Sequence, residues 1–209
     1  MKLIHKLFGS IVFAILIYSG FMLFSIIQKY QNGSENYTEI QNMMSTIDFA
    51  TTTISGGDSL TESMKIINSD YIAWIKIEGS QINYPIVIES SDIDYLTHDF
   101  RKNEHFYGCL FIGQTDPFSA GNTIIYGHNM KNGEMFGSLK KYLDQPYLND
   151  HKDITIYFNG QSIKYRIFSA QIVDVGCRPN EQNSTDPTSM ITLSTCYTSS
   201  KRLLIQAIR

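Results

Sequence analysis

The chain has 209 residues and a formal net charge of −3, with 43% hydrophobic and 18% charged residues. This size and composition fit one globular domain with an appendage. The mildly acidic balance, without a basic stripe, argues against nucleic acid as a partner. The three cysteines cannot all pair within one chain, and none has the CxxC spacing of a zinc or redox site. At least one thiol is therefore expected to lack an intrachain partner.

The N-terminus carries an uncharged, mostly apolar run from about Leu7 to Ile27, preceded by Lys2 and Lys6. About 20 apolar residues span the hydrocarbon core of a bilayer. A cleavable signal peptide is the alternative, but its apolar region is shorter, about 7–15 residues, and no small-x-small cleavage site follows this run. We therefore predict an uncleaved, single-pass membrane anchor. Because the positive charges precede the run, the N-terminus is placed in the cytoplasm and the remaining chain outside the cell.

The composition divides the chain into three parts. Residues 1–28 hold the cytoplasmic flank and the transmembrane helix. Residues 29–65 are rich in Ser, Thr, Asn and Gly and are predicted to form an extracellular, partly helical stalk, with helical content around Tyr37–Phe49. Over residues 66–209, short β-type runs alternate with turn residues, which predicts a β-rich domain.

The β-rich domain contains about eight predicted strands and few helices. A helical spacing covers GEMFGSLKKYLD (133–144), and Asn159-Gly160 has the composition of a two-residue hairpin loop. In chain order the strands are YIAWIKI (71–77), INYPIVI (82–88), GCLFIG (108–113), NTIIYG (122–127), DITIYF and QSIKYRIFSAQIVDV (within 153–175), MITLSTC and RLLIQAI. This pattern predicts a mainly β fold, a closed or nearly closed eight-stranded β-barrel with short helices.

A cysteine and an arginine lie at the two ends of a short predicted loop near the end of the chain, so the guanidinium could lie beside the sulfur. Cys196 ends the apolar run TLSTC, and Arg202 opens the last predicted strand. A cysteine attacks as a thiolate and needs a nearby base or cation, and a guanidinium there can orient a carbonyl or stabilise an oxyanion. These two residues alone leave open that Cys196 is a small buried hydrophobic residue and Arg202 a solvated surface charge.

A histidine at another strand end supplies a candidate partner. His128 directly follows the strand NTIIYG, and Gly127 gives the backbone freedom at the turn. A histidine and a cysteine at two strand ends can converge on one rim of a barrel. His98, in YLTHDF, is a weaker candidate that fits a packed or capping residue, while His105 and His151 are predicted to be ordinary surface residues.

Together these residues resemble the sortases, membrane-anchored cysteine transpeptidases of Gram-positive bacteria. TLSTC resembles their nucleophile motif, RLLIQA falls where their catalytic arginine opens the last strand, and YGHNM carries their histidine. The segments DYIAWIKIEGSQINYPIV, DYLTHDF, GNTIIYGHNMKNGEMFGSLKKY and YRIFSAQ are similar to class B segments and occur in the expected order. The resemblance extends from about residue 66 to the end of the chain and implies the sortase-type β-barrel.

The resemblance implies a role for each matching residue. Cys196 would be the nucleophile, His128 the general acid and base, and Arg202 the cation that stabilises the oxyanion or positions the substrate. It also implies four contacts with the substrate peptide, made by Leu96, Tyr126, Ser194 and Thr195. Without the resemblance, those four would be a core leucine, a packing tyrosine and two strand hydroxyls. No cofactor and no metal are expected, since the acidic residues are scattered and do not form the ligand pattern of a calcium loop.

The implied reaction is a two-step acyl transfer. The Cys196 thiolate attacks the Thr carbonyl of a C-terminal sorting motif on a secreted protein, for which class B resemblance implies an NPxTx-like or another PxT-containing pentapeptide. His128 protonates the departing amine and leaves a thioacyl enzyme. An amine of the peptidoglycan cross-bridge, from lipid II or the cell wall, then accepts the acyl group. The thioacyl bond preserves the energy of the acyl group, so ATP is not required.

The sequence departs from the class B pattern before the cysteine strand. Class B members usually carry a long insertion with a helix there, whereas residues 176–189, GCRPNEQNSTDPTS, predict a short polar loop. In class B members this insertion forms one wall of the substrate groove, so the resemblance implies that this wall is reduced here. Cys177 in this loop is predicted to be a surface thiol, and Cys109, in a strand, a buried one.

Three alternative functions stay open from the sequence. The chain could be a pilin polymerase that uses a pilin lysine as acceptor, or a hydrolase in which water replaces the amine. It could also be a catalytically impaired, membrane-tethered module that only binds surface proteins.

Overall fold

The computed structural model describes residues 2–46, 59–113, 117–118, 121–176 and 189–209. The chain forms two compact units, residues 1–40 and residues 41–209. Three sequence predictions lie outside the described residues: the end of the helical segment at 47–49, Cys177, and most of the loop 176–189.

Helix α1 (Lys2–Thr46) contains the apolar run. Its segment His5–Ser45 contains an 18-residue window with a mean hydropathy of 2.3, and α1 is the one helix in the described part of the chain that is long and apolar enough to cross a membrane. The helix also continues through residues 31–46, where the sequence predicted only a partly helical stalk. No proline interrupts this stretch, and adding residues to an existing helix costs far less than nucleating one. The Thr38 hydroxyl donates to the Ser34 carbonyl at 2.8 Å, satisfying a polar group within the helix.

The second unit is a closed β-barrel, as predicted. Its strands, among the described residues, are β1 (Tyr71–Ile77), β2 (Asn83–Ile88), β3 (Leu110–Ile112), β4 (Asn122–Tyr126), β5 (Asp153–Phe158), β6 (Gln161–Asp174), β7 (Met190–Cys196) and β8 (Lys201–Ile208). They close in the order β1-β2-β3-β4-β7-β8-β6-β5. β2 pairs with β3, and β4 with β7, in parallel, and the other neighbours are antiparallel. Closure leaves no open sheet edge among these strands.

The barrel interior is filled by large apolar side chains. Trp74 is fully buried and its indole donates to Asn83 Oδ1 at 2.7 Å, which satisfies its polar group without water. Phe100, Phe136 and Tyr165 are also buried. Burying a side chain of this size contributes about 1.5–3 kcal/mol, so the interior stabilises the strand ends on which the site is built.

The β5–β6 hairpin has the predicted two-residue loop. Asn159 and Gly160 both have positive φ, 49° and 71°, as a type I′ turn requires. Phe158 and Gln161 pair directly on either side of the loop. The asparagine and glycine are therefore the residues that the backbone conformation requires.

The helices differ in part from the prediction. The segment 133–144 forms a 3-10 helix over Gly137–Leu143 only, because Met135 has a φ of 50° and bridges Asn129 instead. Helix α3 (Gln145–Asp150) was not predicted, although its Asp144 N-cap and early proline are typical helix-start residues. Helix α2 (Ser59–Ile67) lies across the predicted boundary between stalk and β-rich domain.

Candidate active site

The end of β7 and the start of β8 bring a thiol and a guanidinium together. Cys196 is directly opposite Arg202 in the antiparallel register, and Arg202 Nη1 donates a hydrogen bond to Cys196 Sγ. The turn between them is closed by Tyr197 N, which donates to Lys201 O at 2.9 Å. Cys196 is exposed and Arg202 is half-buried. The sequence prediction that these two residues meet at one barrel rim is confirmed.

The parallel pairing of β4 and β7 brings a histidine to the same rim. Tyr126 is opposite Ser194 in the register, and Gly127 N continues the pairing with a bond to Ser194 O at 3.2 Å. His128 follows immediately, half-buried, just as Cys196 follows at the end of β7. The predicted convergence of histidine and cysteine on one rim therefore follows from strand direction and register.

Two further hydrogen bonds fasten these strand ends to each other. The Thr195 hydroxyl donates to Gly127 O at 2.7 Å. Asn129 Nδ2 donates to the Cys196 carbonyl, also at 2.7 Å. Asn129 was not among the residues predicted from the sequence, although it follows the candidate histidine directly in YGHNM. Its amide ties the backbone of the thiol residue to the segment that carries the imidazole.

A backbone carbonyl fixes the state of the imidazole. His128 Nε2 lies 2.7 Å from Leu96 O, and a carbonyl oxygen can only accept a hydrogen bond. The proton of the neutral ring is therefore on Nε2, which leaves Nδ1 unprotonated. In this state the ring can accept a proton at Nδ1 and return it, as a general acid and base must.

Two of the predicted substrate contacts are exposed and two are buried. Leu96 is 44% exposed and Tyr126 is 37% exposed, and the Tyr126 ring stacks on Phe111 with centroids 5.3 Å apart. Ser194 and Thr195 are 5% and 2% exposed. Leu96 and Tyr126 are thus accessible to a peptide, whereas the Thr195 hydroxyl is bonded to the Gly127 carbonyl at the rim.

A cavity of about 380 Å³ adjoins the exposed pair. Its lining includes Leu96 and Phe111, the ring on which Tyr126 stacks, and three carboxylates: Glu89, Asp92 and Asp94. Its size is within the range of small-ligand pockets. Among the described residues, no three His, Cys, Asp or Glu side chains converge as a metal site.

The remaining histidines of the barrel unit have structural contacts. His98 is half-buried, bridges Glu104 and contacts the Asp94 carbonyl at 3.0 Å, as expected of a packed residue. His105 and His151 were predicted to be ordinary surface residues, and this was wrong. Both are half-buried: His105 Nδ1 accepts from Tyr107 N at 3.2 Å, and the His151 ring stacks on Tyr147 at 4.0 Å. Both rings contact aromatic residues nearby in the chain, which the charge pattern of these segments does not indicate.

Gly108→Ala is expected to displace the imidazole and destabilise the fold by about 3 kcal/mol or more. Gly108 has a φ of 61°, and a Cβ there would lie 2.6 Å from Tyr95 O and 3.1 Å from His128 Cδ2. Denaturant unfolding and the NMR signals of the His128 ring measure the two effects.

Gly121→Ala is the matched control for this substitution. Gly121 has a similar φ of 75°, but no atom of the described residues lies within 4 Å of its Cβ position, so it should show only the backbone cost of about 1–2 kcal/mol. Equal losses of stability in the two variants, with unchanged His128 signals, would contradict the proposed contact.

Comparison with known proteins agrees with this fold. The family model of the sortase domain matches residues 75–209. The chain is 38% identical over 148 residues to Sortase B of Listeria monocytogenes, covering 68% of this chain and 58% of that protein. It is 35% identical over 113 residues to Sortase B of Staphylococcus aureus, covering 52% and 46% respectively. The matches thus span about half the length of these relatives.

A solved structure shows the same fold. The Staphylococcus aureus sortase B-substrate complex superposes with a TM-score of 0.73 at 24% identity, covering 87% of this chain and 97% of that one. The family match covers well over half of the chain, and it includes the β4, β7 and β8 strand ends that carry His128, Cys196 and Arg202. The chain belongs to the sortase family.

Proposed function

We propose that this protein is a membrane-anchored cysteine transpeptidase of class B type, which joins secreted proteins to an amine of the cell wall. The observation that carries the proposal is the hydrogen bond from Arg202 Nη1 to Cys196 Sγ, on the rim to which β4 also brings His128. A nucleophile, a proton-transfer group and a fixed cation are what acyl transfer through a thioacyl enzyme needs. Family membership supports the same chemistry.

In the first step, the Cys196 thiol gives its proton to His128, and its sulfur attacks the Thr carbonyl of the sorting motif. The bond from carbonyl carbon to the next nitrogen breaks, and His128 supplies the proton that lets the amine leave. Arg202 donates to the oxyanion that forms on the carbonyl oxygen. In the second step, an incoming amine gives its proton to His128, attacks the thioester and releases the sulfur.

The sorting peptide is proposed to lie along the surface next to Leu96 and Tyr126. Both side chains are accessible, and Leu96 lines the cavity beside the rim. Ser194 and Thr195 are proposed to act beneath the peptide, by holding the β7 end against Gly127. The carboxylates of the cavity favour a substrate segment without negative charge at that end.

The proposed topology follows the charge pattern of the N-terminus. Lys2 and Lys6 precede the apolar run, which favours a cytoplasmic N-terminus and an extracellular barrel. The proposed division is a flank and anchor over 1–28, a stalk segment over 29–65 and a catalytic domain over 66–209. On the outer face of a Gram-positive membrane, the active site would meet both secreted proteins and cross-bridge amines.

Product analysis tests the proposal. The full chain in detergent is incubated with a library of PxT-containing sorting peptides and with a cross-bridge peptide, a lysine-bearing pilin peptide or no amine. Mass spectrometry should show cleavage after Thr, an acyl adduct on Cys196 and a product joined to the cross-bridge amine. Transfer to the pilin lysine alone would identify a pilin polymerase, and release by water alone a hydrolase. Absence of cleavage and of any adduct would favour a binding module.

A further inference from the structure

The carbonyl that accepts the hydrogen bond from His128 belongs to Leu96, and the residue before Leu96 is buried in the protein. Leu96 O is the acceptor of the His128 Nε2 bond. Leu96 itself is exposed, but the preceding residue, Tyr95, is only 2% exposed. The position of the carbonyl therefore depends on how firmly Tyr95 is held.

The Tyr95 hydroxyl has two partners at the start of the barrel. It donates to Asp70 Oδ2 at 2.6 Å and accepts from Asn68 Nδ2 at 3.0 Å. Asn68 is itself 1% exposed and also donates to Phe100 O at 2.9 Å. These bonds connect the loop that carries Leu96 to the residues just before β1.

Asp70 is well suited to act as a fixed acceptor. Its carbonyl accepts from Ile88 N at 2.8 Å, which ties its backbone to β2, and Lys102 Nζ lies 2.9 Å from its Oδ2. Burial acts to raise the pKa of Asp70, but the hydrogen bonds from Tyr95 and Lys102 outweigh it, and the pKa lies below its ordinary value. The ionised Asp70 carboxylate therefore stabilises the folded protein. This contribution is complete above about pH 3.9 and is lost as the pH falls through the lower pKa that Asp70 has in the folded state.

The tyrosine remains a donor across the working range of pH. Burial, followed by the bond to Asp70, raises the pKa of Tyr95 above its ordinary value. The hydroxyl is therefore protonated at neutral pH, and its proton is directed to the carboxylate. A short bond from a neutral phenol to a charged oxygen is among the stronger hydrogen bonds in proteins.

We propose that Tyr95, anchored by Asp70, is a positioning residue that holds the Leu96 carbonyl against His128 and thereby sets which ring nitrogen exchanges protons. The inference rests on the proposed role of His128 in acyl transfer. Tyr95 touches neither the thiol nor the guanidinium in this arrangement. It acts through one peptide unit, by keeping the proton on Nε2 and the reactive lone pair on Nδ1.

Tyr95→Phe in the full chain tests this role, because it keeps the ring and removes the hydroxyl. We expect kcat to fall about 10–100-fold, since small displacements of catalytic groups have effects of this size, while KM changes less than about threefold. In NMR spectra with 15N-labelled histidine, the Nε2-protonated form of His128 should lose population. Asp70→Asn should shift the His128 signals in the same direction, by a smaller amount.

Tyr165→Phe is the matched control. The Tyr165 hydroxyl is buried and bonded to Ser189 Oγ at 2.9 Å, near the opposite end of β7 from Cys196. This variant should lose a similar amount of thermal stability but keep kcat and the His128 signals. The proposal is overturned if Tyr165→Phe lowers kcat equally, or if neither Tyr95→Phe nor Asp70→Asn shifts the His128 signals.

The NMR measurement does not require turnover. If the unmodified protein transfers no acyl group, the proposed function fails, while the His128 signals still decide whether Tyr95 sets the protonated nitrogen. If the unmodified protein is active and the signals do not respond to Tyr95→Phe, only the positioning role fails.

Discussion

Cys196→Ala is expected to abolish sorting-peptide cleavage, with a loss of about 10⁴-fold or more, because the proposed mechanism has no other group that forms the thioester. Cys196 is the exposed thiol of the described residues and the acceptor of the Arg202 hydrogen bond. The variant should retain its fold, since the side chain lies at a strand end and not in the barrel interior. Peptide cleavage followed by mass spectrometry measures the loss, and the acyl adduct should be absent.

Cys109→Ala is the control for this substitution. Cys109 is 3% exposed, and its sulfur lies 3.9 Å from Pro85 O, so it is shielded from a peptide substrate. The burial predicted for it from the sequence is confirmed. We expect this variant to cleave at nearly the normal rate and to form the adduct. Residual thiol-dependent cleavage by Cys196→Ala would place the nucleophile elsewhere and contradict the mechanism.

The sequence predicted the barrel and the meeting of Cys196 with Arg202 because both depend on local patterns. Alternating strand residues and the turn at Asn159-Gly160 indicate the strands directly. A short loop between two strands leaves antiparallel pairing as the simple solution, and this puts Cys196 opposite Arg202. The predicted convergence with His128 required only that two strand ends share a rim, which the β4–β7 register provides.

The contacts that determine which nitrogen of His128 carries the proton could not be predicted from the sequence. The acceptor for His128 is a backbone carbonyl 32 residues away. Every residue has such a carbonyl, so the residue types in the sequence do not indicate which one accepts the bond. The network of Asp70 and Tyr95 likewise joins residues 25 positions apart. The helix predicted over 133–144 forms only from Gly137 onward, for a related reason. Gly137 passes so close to the Met130 carbonyl that tertiary packing, rather than periodicity, determines where that helix begins.

Arg202→Ala is expected to lower kcat about 10²–10³-fold, the usual cost of removing one donor to a developing oxyanion. Arg202→Lys should recover only part of this, since an ammonium supplies the charge without the planar, fixed set of donors. If the guanidinium serves mainly to stabilise the oxyanion, KM for the sorting peptide should change little in either variant. Steady-state kinetics with increasing peptide concentration separate the two parameters.

Lys201→Ala provides the matched control, because Lys201 is the neighbouring cation on β8 and is exposed. Adjacent strand residues point to opposite faces, so the Lys201 side chain is directed away from the face on which Arg202 meets Cys196. We expect its removal to leave kcat and KM nearly unchanged, although it changes the net charge as much as Arg202→Ala does. Equal losses in the Lys201 and Arg202 variants would show that a general electrostatic field, and not a directed hydrogen bond, supports the reaction.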